Sequence, residues 1–412
     1  MATAPKTFVG FGFGAIQAGL MLYEADASRN FERLVVAEVV PGLVKAVRDA
    51  GGRYRVNVAR PGGVDVREIG PIEILNPGVA EDGAKLAERL AEASEIATAL
   101  PSVDFFQKGT NTVAGFIGEA WRRKLQDQSL PRAVVYTCEN HNHAAEILEA
   151  ACEARLDLGE RAGAGSVLQF LNTVIGKMSG VVQGVEEVRS EGLVALTDGV
   201  AHAFLVEEFN RILITRVRLP GFHRGIAAFV EKDDLLPFEE AKLYGHNAVH
   251  ALLGYLAMRK GIPWMSLVKD DDALINLARE AFLVESGPAL IARHRGEDPL
   301  FTVEGYRAYA EDLLERMTNP YLRDRTARVT RDSARKLGWD DRLIGTMRLA
   351  LDAGIRPWRF ALGAAAALEI LPDSGAKAEV LTRLWTVADT PPGRKAELVR
   401  LIDEAKARVT DY

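Results

Sequence analysis

The stretch that most restricts what this chain can fold into lies at its start. Thr7-Phe8-Val9-Gly10-Phe11 reads as a short buried strand, and it runs into Gly12-Phe13-Gly14-Ala15-Ile16-Gln17-Ala18-Gly19. Helical periodicity follows through Leu20, Met21 and Leu22. Leu34-Val35-Val36-Ala37-Glu38 is a second buried strand ending in an acid, 24 residues beyond Gly14. Strand, glycine turn, helix, strand and acid make up the dinucleotide-binding βαβ unit. Its glycines let the backbone approach a pyrophosphate at a helix N-terminus, where free N–H groups and the dipole favour anions. Gly12, Gly14, Ala15 and Ile16 are therefore candidate cofactor contacts. A carboxylate such as Glu38 accepts hydrogen bonds from both ribose hydroxyls and repels a 2′-phosphate, and no arginine follows it, so NAD is expected rather than NADP. The third glycine of GxGxxG is replaced by Gln17. That glycine normally serves close helix–strand packing, and its loss leaves the phosphate-facing Gly12 and Gly14 in place.

A chain of 412 residues exceeds one ordinary core, and two domains of about 150–250 residues are expected. With 48% hydrophobic and 26% charged residues, it has the composition of a soluble globular protein. The net charge of −6 argues against nucleic-acid binding. Two cysteines, Cys138 and Cys152, make no disulfide framework and suit a reducing compartment. The opening MATAPKTFVGFG lacks the apolar core of a secretory leader. The apolar run 361–371 is too short to span a bilayer and is interrupted by Glu369. A cytoplasmic protein with no membrane partner is expected, as a monomer or homodimer.

Further along, 55–78 alternates apolar and polar residues with turn signals, as short strands or a hairpin do. Helical periodicity covers 81–98, and 96–102 reads as a strand end and loop at the C-terminal edge of the sheet. Nucleotides bind at that edge, which makes Thr98 and Ala99 candidate contacts. A helix over 112–124 precedes a clear strand at 133–137. That strand delivers Cys138-Glu139-Asn140-His141-Asn142-His143. These residues with His246 and His250 could be read as a metal site, but the spacing matches no zinc pattern and HExxH lacks its acid here, so no metal is expected. A helix (144–156), a glycine-rich loop (158–166), a strand (167–175) and strand-like runs at 193–196 and 204–217 complete the first half. From about 235 onward helical periodicity dominates, at 238–260, 272–287, 304–317, 342–353, 358–370 and 376–408. The expected architecture is an α/β Rossmann-type domain over 1–230 followed by a mostly α-helical domain over 231–412.

Within the helical half, Ala241-Lys242-Leu243-Tyr244-Gly245-His246-Asn247-Ala248-Val249-His250 stands out. At about 100° per residue an α-helix puts Lys242, Asn247 and His250 at roughly 0°, 140° and 80°. Asn247 and His250 are then neighbours, and the long Lys242 stem can reach the same side. The stretch offers a proton acceptor, an amide donor and an imidazole. The alternative is a packed helix whose polar positions are solvated.

With these residues in hand, the sequence resembles the polyol-specific long-chain dehydrogenases, most like their mannitol-1-phosphate 5-dehydrogenase branch (the mannitol dehydrogenase family). The resemblance rests on FGFGAIQAG near the start, TCEN at 137–140, KLYGHNAVH at 242–250 and NPYLRDRTARVTRDSARKLGWDDRLIG at 319–345. One element departs: where that family has V-D-R-I-x-P, this chain has Val174-Ile175-Gly176-Lys177-Met178-Ser179. The resemblance implies a Rossmann domain that binds NAD(P), a helical substrate domain and metal-free catalysis. It also implies Lys242 as general base, Asn140 and Asn247 as donors to the alkoxide or carbonyl oxygen, and His250 on a substrate hydroxyl. Arg328 and Lys336 would be substrate contacts. Arg331 and Arg335, which lie between them, add charge that a neutral polyol does not require and that suits a phosphate. The expected reaction interconverts a sugar alcohol phosphate and a ketose phosphate. Two alternatives remain: a dehydrogenase of a free polyol or sugar acid, and a non-catalytic NAD-binding module.

Overall fold

The computed structural model describes residues 6–209, 211–371, 377–385 and 393–409. The chain divides into two compact units, Met1–Leu235 and Leu236–Tyr412.

Unit 1 contains the strands β1 (Thr7–Phe11), β2 (Arg33–Ala37), β3 (Tyr54–Arg60), β4 (Gly63–Ile69), β5 (Glu73–Leu75) and β6 (Ala93–Thr98). They are followed by β7 (Ala133–Thr137), β8 (Leu168–Val174), β9 (Ser179–Gln183), β10 (His202–Glu207), β11 (Leu213–Thr215) and β12 (Val230–Lys232). The larger sheet has the order β12-β11-β8-β7-β6-β1-β2-β5, parallel from β5 through to β8. Strand order reverses between β1 and β6, the switch point at which open α/β sheets leave a crevice. Strands β1, β6 and β7 are buried along their whole length, as parallel strands covered by helices on both faces must be. Alternate residues feed opposite cores: Phe8, Val134 and Tyr136 on one face, Val9, Ala133 and Val135 on the other.

A smaller sheet, β4-β3-β10-β9, is built on the β3–β4 hairpin. The helix after the glycine turn is pressed between β1 and β10, which accounts for the glycine pattern. A Cβ on Gly10 of β1 would lie 2.1 Å from Gln17 Nε2, and one on Gly19 would lie 2.5 Å from Val206 of β10. The space that the usual third glycine provides on the helix is here provided by Gly10 on the strand, and Gln17 fills it. The segment Gln17–Met21 is a π turn, fully buried, and Tyr54 Oη donates to its Ala18 carbonyl at 2.9 Å.

Unit 2 is helical. Its longest runs are 236–259, with a π segment at Ala241–Asn247, and 272–293, with one at Ala281–Ser286. Helices Val303–Met317, Ile344–Asp352 and Trp358–Glu369 pack with them around one core that includes Leu252, Phe282, Leu313, Met347 and Phe360.

Several boundaries differ from expectation. The 81–98 helix is Ala80–Glu92, and the rest is strand β6. Leu86, Leu90 and Ile96 continue a helical spacing, but pairing with β1 and β7 outweighs this local preference. The 158–166 loop contains a one-turn helix, Leu158–Arg161, closed by an Asp157–Glu160 capping box. The run 204–217 is two strands, β10 and β11, and 193–196 is not a strand. Of the helix expected over 376–408, Lys377–Leu384 and Arg394–Lys406 are helical, and 376 and 386–392 lie outside the described residues.

Candidate active site

In unit 1 the C-terminal ends of β1, β2, β6 and β7 surround a pocket of about 540 Å³. Gly12, Gly14, Ala15 and Ile16 line it after β1, Glu38 and Val39 after β2, Ala99 and Leu100 after β6, and Cys138 after β7. Gly12 has φ +81°, and a Cβ there would stand 2.8 Å from the Ala99 carbonyl. Nothing stands within 4 Å of a Cβ placed on Gly14. Only glycine fits the first position, and the second leaves the backbone open to a large anion. Glu38 is nearly buried, and its Oε1 accepts the Val40 N–H at 2.8 Å. The turn, the open backbone and this carboxylate fit a dinucleotide.

Thr98 does not line the pocket. It is fully buried, and its hydroxyl donates to Glu139 Oε2 at 2.8 Å. Glu139 Oε1 accepts the Leu100 N–H at 2.9 Å, so this carboxylate ties β7 to the loop that forms the pocket wall. Burial pushes the Glu139 carboxyl up from its ordinary value. Asn140, next in sequence, is exposed. Sequence reading passed over Glu139, whose only signal was its place at a strand end. It also passed over Pro77, Phe105 and Phe116, apolar walls that the fold brings in from separate segments.

In unit 2 a cavity of about 230 Å³ is lined by Asn247, His250, Arg328, Arg331, Asp332, Arg335, Lys336 and Arg342, with Ala251 and Val329. Two of the four expected catalytic residues and all four expected substrate residues therefore share one cavity. Lys242 precedes Asn247 by one turn of the π segment and is partly buried. Hydrogen bonds of a π turn run i→i+5, which brings positions 242 and 247 closer around the axis than an α-helix would, although Lys242 itself is not among the residues lining the cavity.

Burial lowers the Lys242 ammonium to about 8; Arg342 pushes the same way and Glu239 opposes. Lys336 is likewise lowered to about 8, by burial and then by Arg342 and Arg335, and its Nζ donates to the Arg331 carbonyl. Behind the wall, Asp324 Oδ2 lies 3.0 Å from His250 Nε2, and its Oδ1 accepts from Arg328 Nε at 2.8 Å. Burial works against its ionisation, but His250 and Arg328 outweigh this and hold the carboxyl at about 2. Arg335 and Arg342 both reach Asp341, at 3.3 and 2.8 Å. Among the described residues Arg331 pairs with no carboxylate. Arg342 and Asp324 were not assigned roles from the sequence. Asp324 left the i,i+4 spacing to Arg328 as a signal, and Arg342 left none beyond its charge.

His246 lies in the same π segment, buried, with its ring 6.2 Å from that of His250. Burial first, then His250 and nearby cations, holds it well below the usual imidazole range. His141 and His143 are exposed in unit 1. Among the described residues no three His, Cys, Asp or Glu side chains form a group able to hold a metal ion.

Fold and sites together define a two-unit protein, one unit of dinucleotide-binding type and the other carrying a lysine–asparagine–histidine helix beside a cationic cavity. Residues 234–398 match the Mannitol dehydrogenase C-terminal domain. The chain is 28% identical to the mannitol-1-phosphate 5-dehydrogenase of Bacillus licheniformis, over 87% of this chain and 86% of that one. It is also 28% identical to the enzyme of the same name from Brevibacillus brevis, over 76% and 74%. Its fold is similar to that of a substrate-free D-sorbitol dehydrogenase (TM-score 0.77, 17% identity, 99% of this chain and 93% of that one). A Pseudomonas fluorescens mannitol 2-dehydrogenase solved with NAD and D-mannitol is similar as well (TM-score 0.71, 17% identity, 100% and 93%). The second unit thus matches the Mannitol dehydrogenase C-terminal domain, and most of the chain is similar to mannitol-1-phosphate 5-dehydrogenases. Among the described residues no helix is long and apolar enough to cross a membrane.

Proposed function

We propose that this polyol dehydrogenase uses NAD to interconvert a sugar alcohol phosphate and a ketose phosphate, of the mannitol 1-phosphate and fructose 6-phosphate type. The observation that carries the reading is the unit 2 cavity, where Asn247 and His250 meet five cationic side chains and a single lining carboxylate. The curated relatives named for mannitol 1-phosphate support the same substrate class.

Gly12, Gly14, Ala15, Ile16, Ala99 and Glu38 would hold NAD in the unit 1 pocket. When bound, NAD accepts the hydride of alcohol oxidation, and NADH returns it in the reverse direction. The chain's own residues manage the proton and the substrate, without a metal. Lys242, lowered to about 8, is neutral often enough at neutral pH to take the hydroxyl proton, and once protonated it serves as the acid for ketone reduction. Asn247 donates to the oxygen on which charge develops. His250, with Asp324 behind it, holds a substrate hydroxyl. Arg331, Arg335 and Arg342 receive the phosphate, and Arg328 and Lys336 position the sugar chain.

One observation favours a free polyol instead: Arg335 and Arg342 already share Asp341. Arg331, without a carboxylate, weighs on the side of the phosphate.

The test of the mechanism is Lys242→Ala. Turnover should fall by about 10²-fold or more while NADH binding, followed by its fluorescence, is retained. Near-normal turnover at neutral pH would remove Lys242 from the mechanism.

A further inference from the structure

The approach of Lys242 to Asn247 around the helix axis depends on a π turn, and π turns need support. Each carries one residue more than an α turn, so the hydrogen-bond ladder must change register where it starts. In unit 2 Thr346 of helix Ile344–Asp352 donates to the Tyr244 carbonyl within the segment at 3.3 Å, and further support comes from helix Val303–Met317 through two tyrosines one turn apart. Tyr309 Oη donates to the carbonyl of Ala241, the first residue of the π segment, at 3.3 Å. Tyr306 Oη lies 3.2 Å from Ser286 Oγ, which closes the second π segment by donating to the Ala281 carbonyl at 3.4 Å. The same Tyr306 hydroxyl stands 2.7 Å from where a Cβ on Gly245 would be. The two rings stack edge-on with centroids 5.6 Å apart, so they brace both widened turns as one block.

We propose that Tyr309 is a positioning residue for Lys242, its hydroxyl holding the turn that brings Lys242 closer to Asn247 around the helix axis. The proposal rests on Lys242 being the acid/base group. Nothing about Tyr309 suggests direct chemistry: burial, and then Tyr306, drive its hydroxyl far above the ordinary phenol range, Arg316 opposing and Asp312 adding to the rise, so it remains a donor at every working pH. Tyr306 is raised by burial in the same way. Among the charged groups acting on Lys242 are Glu239, on its own helix, and Arg342, and His246 of the same π segment interacts with it.

The experiment compares Tyr309→Phe with Lys242→Ala, using NADH and fructose 6-phosphate. Tyr309→Phe removes one oxygen and keeps the ring packing. It should lower kcat by roughly tenfold, the scale of a small misplacement. The KM for NADH should stay unchanged. The pH midpoint of kcat should move upward as Lys242 loses its buried seat. Gly245→Ala, which pushes the Tyr306 hydroxyl away by a separate route, should give the same split and serves if Tyr309→Phe folds poorly. If Tyr309→Phe keeps both kcat and midpoint while Lys242→Ala is inactive, the positioning role is wrong and the base assignment stands. If Lys242→Ala is active, the base assignment is wrong, and the positioning role goes with it.

Discussion

The two pockets recognise their ligands by different physical means. The unit 1 pocket is built mainly from backbone: Gly12 in a left-handed conformation, Gly14 open to solvent, strand ends converging at the switch point, and one acid. The unit 2 cavity is built from side chains, five of them cationic, on short irregular segments around a helix that widens at Ala241–Asn247. A backbone site suits a ligand common to many proteins, because any sequence that makes the turn makes the site. A side-chain site can be retuned one residue at a time, which suits the substrate recognition proposed for the unit 2 cavity.

The largest effect expected from that contrast is on the cationic cavity. Arg331→Ala combined with Arg335→Ala should cost about 10²–10⁴ in kcat/KM for fructose 6-phosphate, at about 1.5–3 kcal/mol for each charged contact. The same pair should alter the weaker turnover of fructose little. Equal losses on both ketoses would mean that these arginines shape the cavity rather than read a phosphate.

In unit 1, Glu38→Ser with Val39→Arg should move cofactor use toward NADP, by roughly tenfold in the NADP to NAD ratio of kcat/KM, since one charge-assisted contact is exchanged for another. A wild-type enzyme already indifferent to the two cofactors would remove Glu38 as the selector.

The pH profile separates the units more finely. With Lys242 as the proposed acid/base group, alcohol oxidation should rise with pH through a midpoint near 8, and ketose reduction should fall through the same midpoint. Arg342→Ala removes a cation that disfavours protonated Lys242, so the midpoint should rise. An unmoved midpoint would leave burial alone as the cause.

The smallest effect concerns Gln17, whose Nε2 and Oε1 are buried and make no hydrogen bond among the described residues. Gln17→Met keeps the length of the side chain and drops the polar atoms, a change worth about 1–3 kcal/mol. The melting temperature should rise by several degrees. A comparable fall would show that a buried water satisfies the amide.

These differences also explain what could be read from the sequence. Backbone recognition shows itself as glycines and a strand-end acid, and the residues expected from Gly12 to Ile16, with Glu38 and Ala99, do line one pocket. Thr98 fails because the strand's alternation turns it toward Glu139, which strand propensity does not reveal. In unit 2 the spacing of Lys242, Asn247 and His250 points to a helix that contributes Asn247 and His250 to the cavity, but α-helical angles do not hold across its π segment. Nothing in a single sequence marks where a helix takes in an extra residue, because the groups that contact the widened turn, Tyr306, Tyr309 and Thr346, lie sixty to a hundred residues further along the chain. Arg342 could not be distinguished from its basic neighbours, since its importance comes from where the chain folds back.

The central claim is that a phosphate is read by the unit 2 cavity of a polyol dehydrogenase. The most direct measurement is kcat/KM of the wild-type enzyme with NADH, on fructose 6-phosphate and on fructose under the same conditions. The account predicts a preference for the phosphorylated ketose of about 10²-fold or more. Equal efficiency on the two, or a preference for fructose, would contradict it and assign the cavity to a free polyol.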